Sequence, residues 1–427
     1  MLHGCNTLKI EPPYLHETYT FSGTPYEVGY QRGRQFKDMI QAYVIRQSAG
    51  VLDDLDSWPK PEDYNLDWLK ENNPPVYNEY KNWAARTPDW LNEEIRGIAE
   101  GAGVSYDKLL INDRHYPFIV KARESPSNPR VDRESLNCTS FIAFGKATAG
   151  GKVLSGGSRE ANSLLPLDCI KRIRTKGMNN VVLYARDPWS ARGLWGMNDK
   201  GLSIAGNGIS IVPEAVGHVG YVLIFIRILL QECDTVDEAV DRLRDAKMVM
   251  GHHWYMADKK EGVCVDFNNR DKLFDNSGDE FIPGASPIYT NPKFRKWNYV
   301  VYDETDPNWG WHNAAKRGIY RLDRFRELYT EKRPLKLRDI PVIQADHGGR
   351  GSGVLRQEFY GSPPQGSDFT ICVHGRNTRP GNIVQGVYPK FHMTCCAHIE
   401  DHDNLKMYMA WGSPCEAGYV PYTPPSG

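Results

Sequence analysis

The sequence has almost no net charge: 52 lysines and arginines face 53 aspartates and glutamates, leaving −1 over 427 residues. A balance this even lacks the basic field that nucleic acid or an anionic membrane surface would attract, so neither partner is expected. Long apolar runs are missing too. The longest, Val219 to Leu230, falls short of the roughly 20 residues a membrane-spanning helix needs and carries Arg227, so it is expected as a buried helix. Met1-Leu2-His3-Gly4-Cys5-Asn6 holds no apolar stretch that could serve as a signal sequence. The nine cysteines are an odd number at irregular spacings and suggest no disulfide framework. These absences lead to the expectation of a reducing, cytoplasmic setting, in which the sequon Asn137-Cys138-Thr139 is a chance match.

What is present is material for a large core. Aromatic residues make up 11% of the chain, with 11 Trp and 23 Tyr, which excludes a disordered polypeptide and fits one big domain or two to three smaller ones. The chain opens with a strand at Thr18-Tyr19-Thr20-Phe21. A helix should start at Thr24-Pro25, with Glu27 in its first turn and Gly29 and Gly33 on one face, where small residues permit close packing. Leu91 to Val104 reads as an amphipathic helix ended by glycine, and Ser105 caps the next. Residues 51 to 90 suggest short helices and loops without assignable chemistry.

Cys138 heads a stretch, Thr139-Ser140-Phe141-Ile142-Ala143-Phe144-Gly145, that alternates like a buried strand. Turn residues from Ala147 to Lys152 and a second apolar run at Val153-Leu154 complete a hairpin. Taken alone, Cys138 reads first as a packed structural thiol, since free cysteine packs like a small hydrophobe, and as a nucleophile only second. The polar, proline-bearing run from Pro117 to Leu136 just before it fits a solvated connector or the exposed loop that a cleavage site needs. Beyond it, strands are expected at Val181–Ala185, 193–198, 201–207 and Gly262–Phe267, with helices at Tyr221–Leu230 and Thr235–Lys247, the latter capped by Asp234. Strands, a helical insert and more strands make the fold class α+β, not a βαβ array.

Several of these stretches, in this order, resemble one known family. They are Gly23 to Gly29, Gly97 to Val104, Cys138-Thr139-Ser140-Phe141 with its Gly-Lys-Val hairpin, Trp195-Gly196-Met197-Asn198-Asp199-Lys200-Gly201-Leu202, and Tyr289-Thr290-Asn291. Together they resemble the isopenicillin N acyltransferase-like family of self-cleaving cysteine N-terminal-nucleophile acyltransferases and hydrolases. The Cys-Thr-Ser start is also similar to that of acid ceramidase and N-acylethanolamine acid amidase. The resemblance implies a four-layer αββα sandwich cut between Asn137 and Cys138. Residues 1–137, mainly helical, and 138–427, with the double sheet, would stay associated as one compact domain, and a homo-oligomer is compatible with the family.

The same resemblance implies the chemistry. Cys138, once N-terminal, carries a thiol and an α-amine that can act as its general base, so no catalytic histidine is needed. Glu160, in Gly156-Gly157-Ser158-Arg159-Glu160, occupies the slot of a family Asp that orients the α-amine, and Arg159 stands near a family arginine; a surface Arg-Glu pair is the alternative. Asn291 matches the asparagine that helps form the oxyanion hole, and a turn-forming Asn before Pro292 is the alternative. Asn207 matches a pocket-lining position or, alternatively, an Asn-Gly turn. Thr370 matches a hydroxyl residue that approaches the nucleophile. Neither a metal nor a cofactor is implied, and the His252-His253 pair lacks plausible co-ligands. The expected substrate is a small N-acyl or aminoacyl amide, cleaved through a Cys138 thioester. Transfer of the acyl group to an amine, lipid-amide or ester hydrolysis, and a non-catalytic binding role remain as alternatives.

Overall fold

Thr24 caps the first helix as its sequence predicts. Its hydroxyl accepts from the Glu27 N–H, and the Glu27 carboxylate accepts in return from the Thr24 N–H at 2.7 Å. The computed structural model describes residues 16–48, 66–72, 87–113, 138–161, 168–209, 222–246, 251–275, 278–286, 288–298, 314–348 and 393–426, with a few isolated positions besides. Asn137, Thr370, His374 and the loop from 117 to 136 lie outside the described residues.

The helices are α1 (Pro25–Gln35), α2 (Lys37–Ser48), α3 (Leu66–Asn72), α4 (Asp89–Ala102), α5 (Tyr106–Asp113), α6 (Val222–Glu232), α7 (Val236–Arg244), α8 (Ala314–Lys332) and α9 (Ile340–Gln344). The strands are β1 (Thr18–Gly23), β2 (Thr139–Gly145), β3 (Gly151–Ala161), β4 (Cys169–Thr175), β5 (Val181–Ala185), β6 (Trp195–Asn198) and β7 (Ser203–Ile209). The remainder are β8 (Gly251–Ala257), β9 (Gly262–Phe267), β10 (Lys272–Asp275), β11 (Phe281–Ala285), β12 (Met393–Asp401), β13 (Lys406–Trp411) and β14 (Tyr419–Tyr422). One correction concerns α7, where Thr235, not Asp234, is the cap: its hydroxyl accepts from the Glu238 N–H at 3.3 Å.

Among the described residues the strands form two sheets, ordered β1-β4-β5-β6-β7-β8-β9-β10 and β11-β2-β3-β12-β13-β14. Alternation along each strand sorts side chains into layers. Phe21, Val181, Leu183, Ile204, Trp254 and Met256 of the first sheet pack under α1, α2, α4, α6 and α7. Phe141, Leu154 and Ile399 of the second pack under Phe325 and Leu328 of α8 and Ile340 and Ile343 of α9. Between the sheets, Tyr184, Trp195 and Met197 meet Met407, Met409 and Trp411, while Ile142, Val153 and Ile282 meet Tyr255 and Cys264. Helix, sheet, sheet, helix is the αββα order expected for this α+β chain.

The helix layer over the first sheet is held unusually tightly. A Cβ on Gly29 would overlap the Glu94 carbonyl and one on Gly33 the Ile98 carbonyl. One on Gly97 would overlap the Tyr26 carbonyl. The α1 and α4 backbones therefore touch, which is the close packing that the glycine spacing predicts. Inside this layer Glu94 takes an ion pair from Arg32 and another from Arg227 at 3.1 Å, all three side chains being fully buried. Burial alone would raise the Glu94 carboxyl, but Arg227 and Arg32 outweigh it and hold the group below its ordinary range.

Candidate active site

Cys138 stands immediately before β2, a strand held between β11 and β3. On one side Ser286, just past β11, donates its backbone N–H to the Cys138 carbonyl at 2.8 Å. On the other, the backbone N–H of Glu160 on β3 hydrogen-bonds the Cys138 sulfur. The hairpin expected from the sequence is what brings Glu160 here: β2 and β3 pair with Thr139 opposite Ser158, one step short of the cysteine.

Strand alternation then divides the neighbours between two faces. Glu160 lies toward α8, where Ser158 Oγ donates to its carboxylate at 2.7 Å and Thr394 Oγ1 at 3.3 Å. Arg321 of α8 approaches the same carboxylate at 3.6 Å, with both side chains fully buried, and also donates to the Ser286 carbonyl. The contacts close a ring: Cys138 carbonyl to Ser286, Ser286 to Arg321, Arg321 to Glu160, and Glu160 back to the Cys138 sulfur. Arg321 is a site residue that the sequence reading misses. It is one of several basic residues along an ordinary charged helix, and nothing local distinguishes it.

Arg159 points the other way, into the space between the sheets. It donates to Asp168 at 2.8 Å and to the Tyr184 hydroxyl at 2.6 Å, and that hydroxyl donates to Asp168 at 2.6 Å. The alternative of an exposed Arg159-Glu160 pair is therefore wrong, because adjacent strand residues face opposite sides and each has its own buried partner. Asn207 is likewise no turn residue. It sits in mid-strand on β7, opposite His253, because β8 pairs along the whole of that strand. Ser140 Oγ donates to Asn207 Oδ1 at 2.9 Å, and the buried Asn207 Nδ2 has no partner among the described residues.

Asn291 adopts the turn role given as its alternative. It caps a short 3₁₀ helix, Pro292–Trp297, with Oδ1 accepting from the Lys293 N–H at 3.0 Å, while its own N–H donates to Asp266 at 2.9 Å. His252 and His253 face opposite sides of β8 and so cannot share an ion. Burial and the neighbouring His253 push the His252 imidazole down to about 3. His253 is held by Asp266, the Tyr255 hydroxyl and Thr290 Oγ1, the last at 3.0 Å.

The electrostatics of Cys138 follow from this packing. Burial, reinforced by the Glu160 charge, pushes its thiol up to about 12, against the opposing pull of the Glu160 N–H, Arg159 and Arg321. In a chain still joined at residue 137 the sulfur is thus a protonated thiol at neutral pH, and poorly nucleophilic until a base takes its proton.

Comparison with known proteins bears out the family resemblance over part of the chain. The family model described as acyl-coenzyme A:6-aminopenicillanic acid acyl-transferase matches residues 188–282, which run from before β6 into β11 and include Asn207 but not Cys138 or Glu160. An uncharacterised protein of Archaeoglobus fulgidus is 30% identical over 148 residues, a match that covers 32% of this chain and only 23% of that relative. Penicillin V acylase from Agrobacterium tumefaciens superimposes with a TM-score of 0.35 at 12% identity, covering 64% of this chain and 83% of its own. A mutant of conjugated bile acid hydrolase from Clostridium perfringens gives 0.38 at 12% identity, covering 68% of this chain and 99% of its own. Among the described residues no helix is long and apolar enough to cross a membrane.

Proposed function

We propose that the chain is a self-processing cysteine N-terminal-nucleophile enzyme, cut between Asn137 and Cys138, that cleaves a small N-acyl or aminoacyl amide through a Cys138 thioester. The observation that carries this reading is the closed ring around Cys138, in which a buried thiol meets a buried carboxylate and a buried guanidinium at the open end of a central strand.

In the first reaction the Cys138 sulfur attacks the Asn137 carbonyl. The thiol proton passes to the peptide nitrogen, which leaves as the Cys138 amine, and water hydrolyses the resulting thioester. The new α-amine, with an ordinary pKa near 8, takes over the thiol proton that the protein would otherwise hold. Glu160 orients that ammonium and Arg321 holds Glu160. Asn207, with an amide donor left unpartnered beside β2, is the better-supported oxyanion donor on geometry, and Asn291 on resemblance. β1, α1 and α4 precede the cut yet build one core with strands that follow it, β1 pairing with β4, which supports the two segments remaining together.

Intact-mass measurement tests the reading. Wild type should give fragments 1–137 and 138–427, and Cys138→Ala a single uncut chain without turnover on a panel of N-acyl amino acids, aminoacyl amines and β-lactam amides. A wild-type chain that stays whole would sink it. Asn207→Ala should lower kcat about 100-fold, the usual cost of one oxyanion donor; an effect confined to Asn291→Ala would move the role there. The description of the matched family favours acyl transfer as a second outcome, so each assay is repeated with an added amine acceptor, and N-acylated product would favour transfer over hydrolysis.

A further inference from the structure

His347, Cys372 and Cys415 are far apart in sequence and belong to no motif, yet their ligating atoms all lie within 4.8 Å of one another. His347 follows α9, Cys372 lies in the short segment 371–372, and Cys415 sits in the turn between β13 and β14. The two sulfurs are 3.6 Å apart. Two thiolates on a tetrahedral zinc ion with bonds of about 2.3 Å stand about 3.8 Å apart, so the pair already has nearly the spacing that the ion would impose.

The backbone around the cluster is fixed from several sides. Cys372 donates its N–H to the Asp346 carbonyl at 3.0 Å, and Arg324 of α8 clamps the Asp346 carboxylate at 2.9 and 3.0 Å. The Cys415 turn is closed by the Glu416 and Ala417 N–H groups on the Ser413 carbonyl, each at 2.9 Å, and joined to β12 by Gly412 N–H on the Cys395 carbonyl at 2.8 Å. With Asp346 engaged by Arg324, the donors among the described residues are two sulfurs and an imidazole. That set suits zinc and not a hard cation such as magnesium or calcium.

We propose that His347, Cys372 and Cys415 hold one zinc ion, with a fourth position open to water. Each cysteine thiol releases its proton on binding, and His347 binds as the neutral imidazole. Acidic residues flank two of the ligands in sequence, Asp346 beside His347 and Glu416 beside Cys415, and their charge favours a cation. Such an ion would tie the end of α9, segment 371–372 and the β13–β14 turn into one unit. The inference stands or falls independently of the proposed amide chemistry.

The test uses the full chain, stripped with chelator and reloaded with zinc or cobalt. One metal per chain by elemental analysis, a raised Tm, and a cobalt spectrum with thiolate charge-transfer bands are expected. Cys372→Ser and Cys415→Ser should each lower zinc affinity at least tenfold, while Cys138→Ala and Cys169→Ser leave it within twofold. If a serine variant fails to fold, wild type still decides: bound zinc should protect Cys372 and Cys415 from alkylation, read peptide by peptide, and leave Cys169 unchanged. No stoichiometric binding, affinity unchanged in the cysteine variants, no protection in wild type, or a Cys372–Cys415 disulfide after anaerobic purification would each overturn the proposal.

Discussion

Two buried glutamates among the described residues, Glu94 and Glu160, face arginines, and they are arranged differently. Glu94, in the helix layer over the first sheet, is gripped by two guanidinium groups, with Arg227 at 3.1 and 3.3 Å and Arg32 also in contact. Glu160, at the end of the second sheet, is approached by Arg321 at 3.6 Å, takes two hydroxyl hydrogen bonds, and sends its backbone N–H to a thiol. Both carboxylate oxygens of Glu94 are paired, although Arg227 Nε has no partner among the described residues, and the cluster joins α1, α4 and α6. The Glu160 cluster is looser and includes a group that can react. A buried charge with every contact made serves packing, whereas one set beside a buried thiol can serve chemistry.

Substitution of each glutamate sharpens the contrast. Glu94→Gln leaves two buried arginines short of their counter-charge and should cost about 3–5 kcal/mol of stability, read by denaturant unfolding. The surviving folded fraction should still process normally. The sign of its pH dependence follows from its depressed pKa. Stability contributed by Glu94 is present above the ordinary value of 4.5 and is lost as pH falls through the lower folded value, so Glu94→Gln should flatten the acid limb of the stability profile. Glu160→Gln should show the reverse pattern. Processing or turnover falls at least about tenfold, the low end for a positioned acid-base group, with a smaller loss of Tm than Glu94→Gln. An unchanged rate would remove Glu160 from the site. The smallest effect is expected at Thr24→Ala, which removes the cap from the helix carrying Arg32. A loss of about 1 kcal/mol, with processing rate unchanged, would mark that region as purely structural.

Local features of the chain are the most readable. The Thr24 cap, the glycine-ended α4 and the Cys138 hairpin each depend on neighbours within a few positions, where cap chemistry and strand alternation act directly. The family resemblance comes from the order of such stretches, and the family model covers one of them, Trp195 to Leu202. Long-range partners are not readable. Arg321 reaches Glu160 only because α8 crosses the second sheet, and His253 meets Asp266 only through the pairing of β8 with β9. Asn207-Gly208, a strong turn signal locally, is overridden by the continuous pairing of β7 with β8 from Ser203 to Ile209. The spacing of His347, Cys372 and Cys415 carries no periodicity from which to find them.

The glycines shared by α1 and α4 act as a ruler. At the glycine contacts no side chain separates the two helices, so their spacing there is set by backbone against backbone and cannot be repacked to a new value. A single methyl group at position 29 would wedge the helices apart at the very turn that carries Glu94. The smallest possible change in volume would thereby become an electrostatic defect in the core.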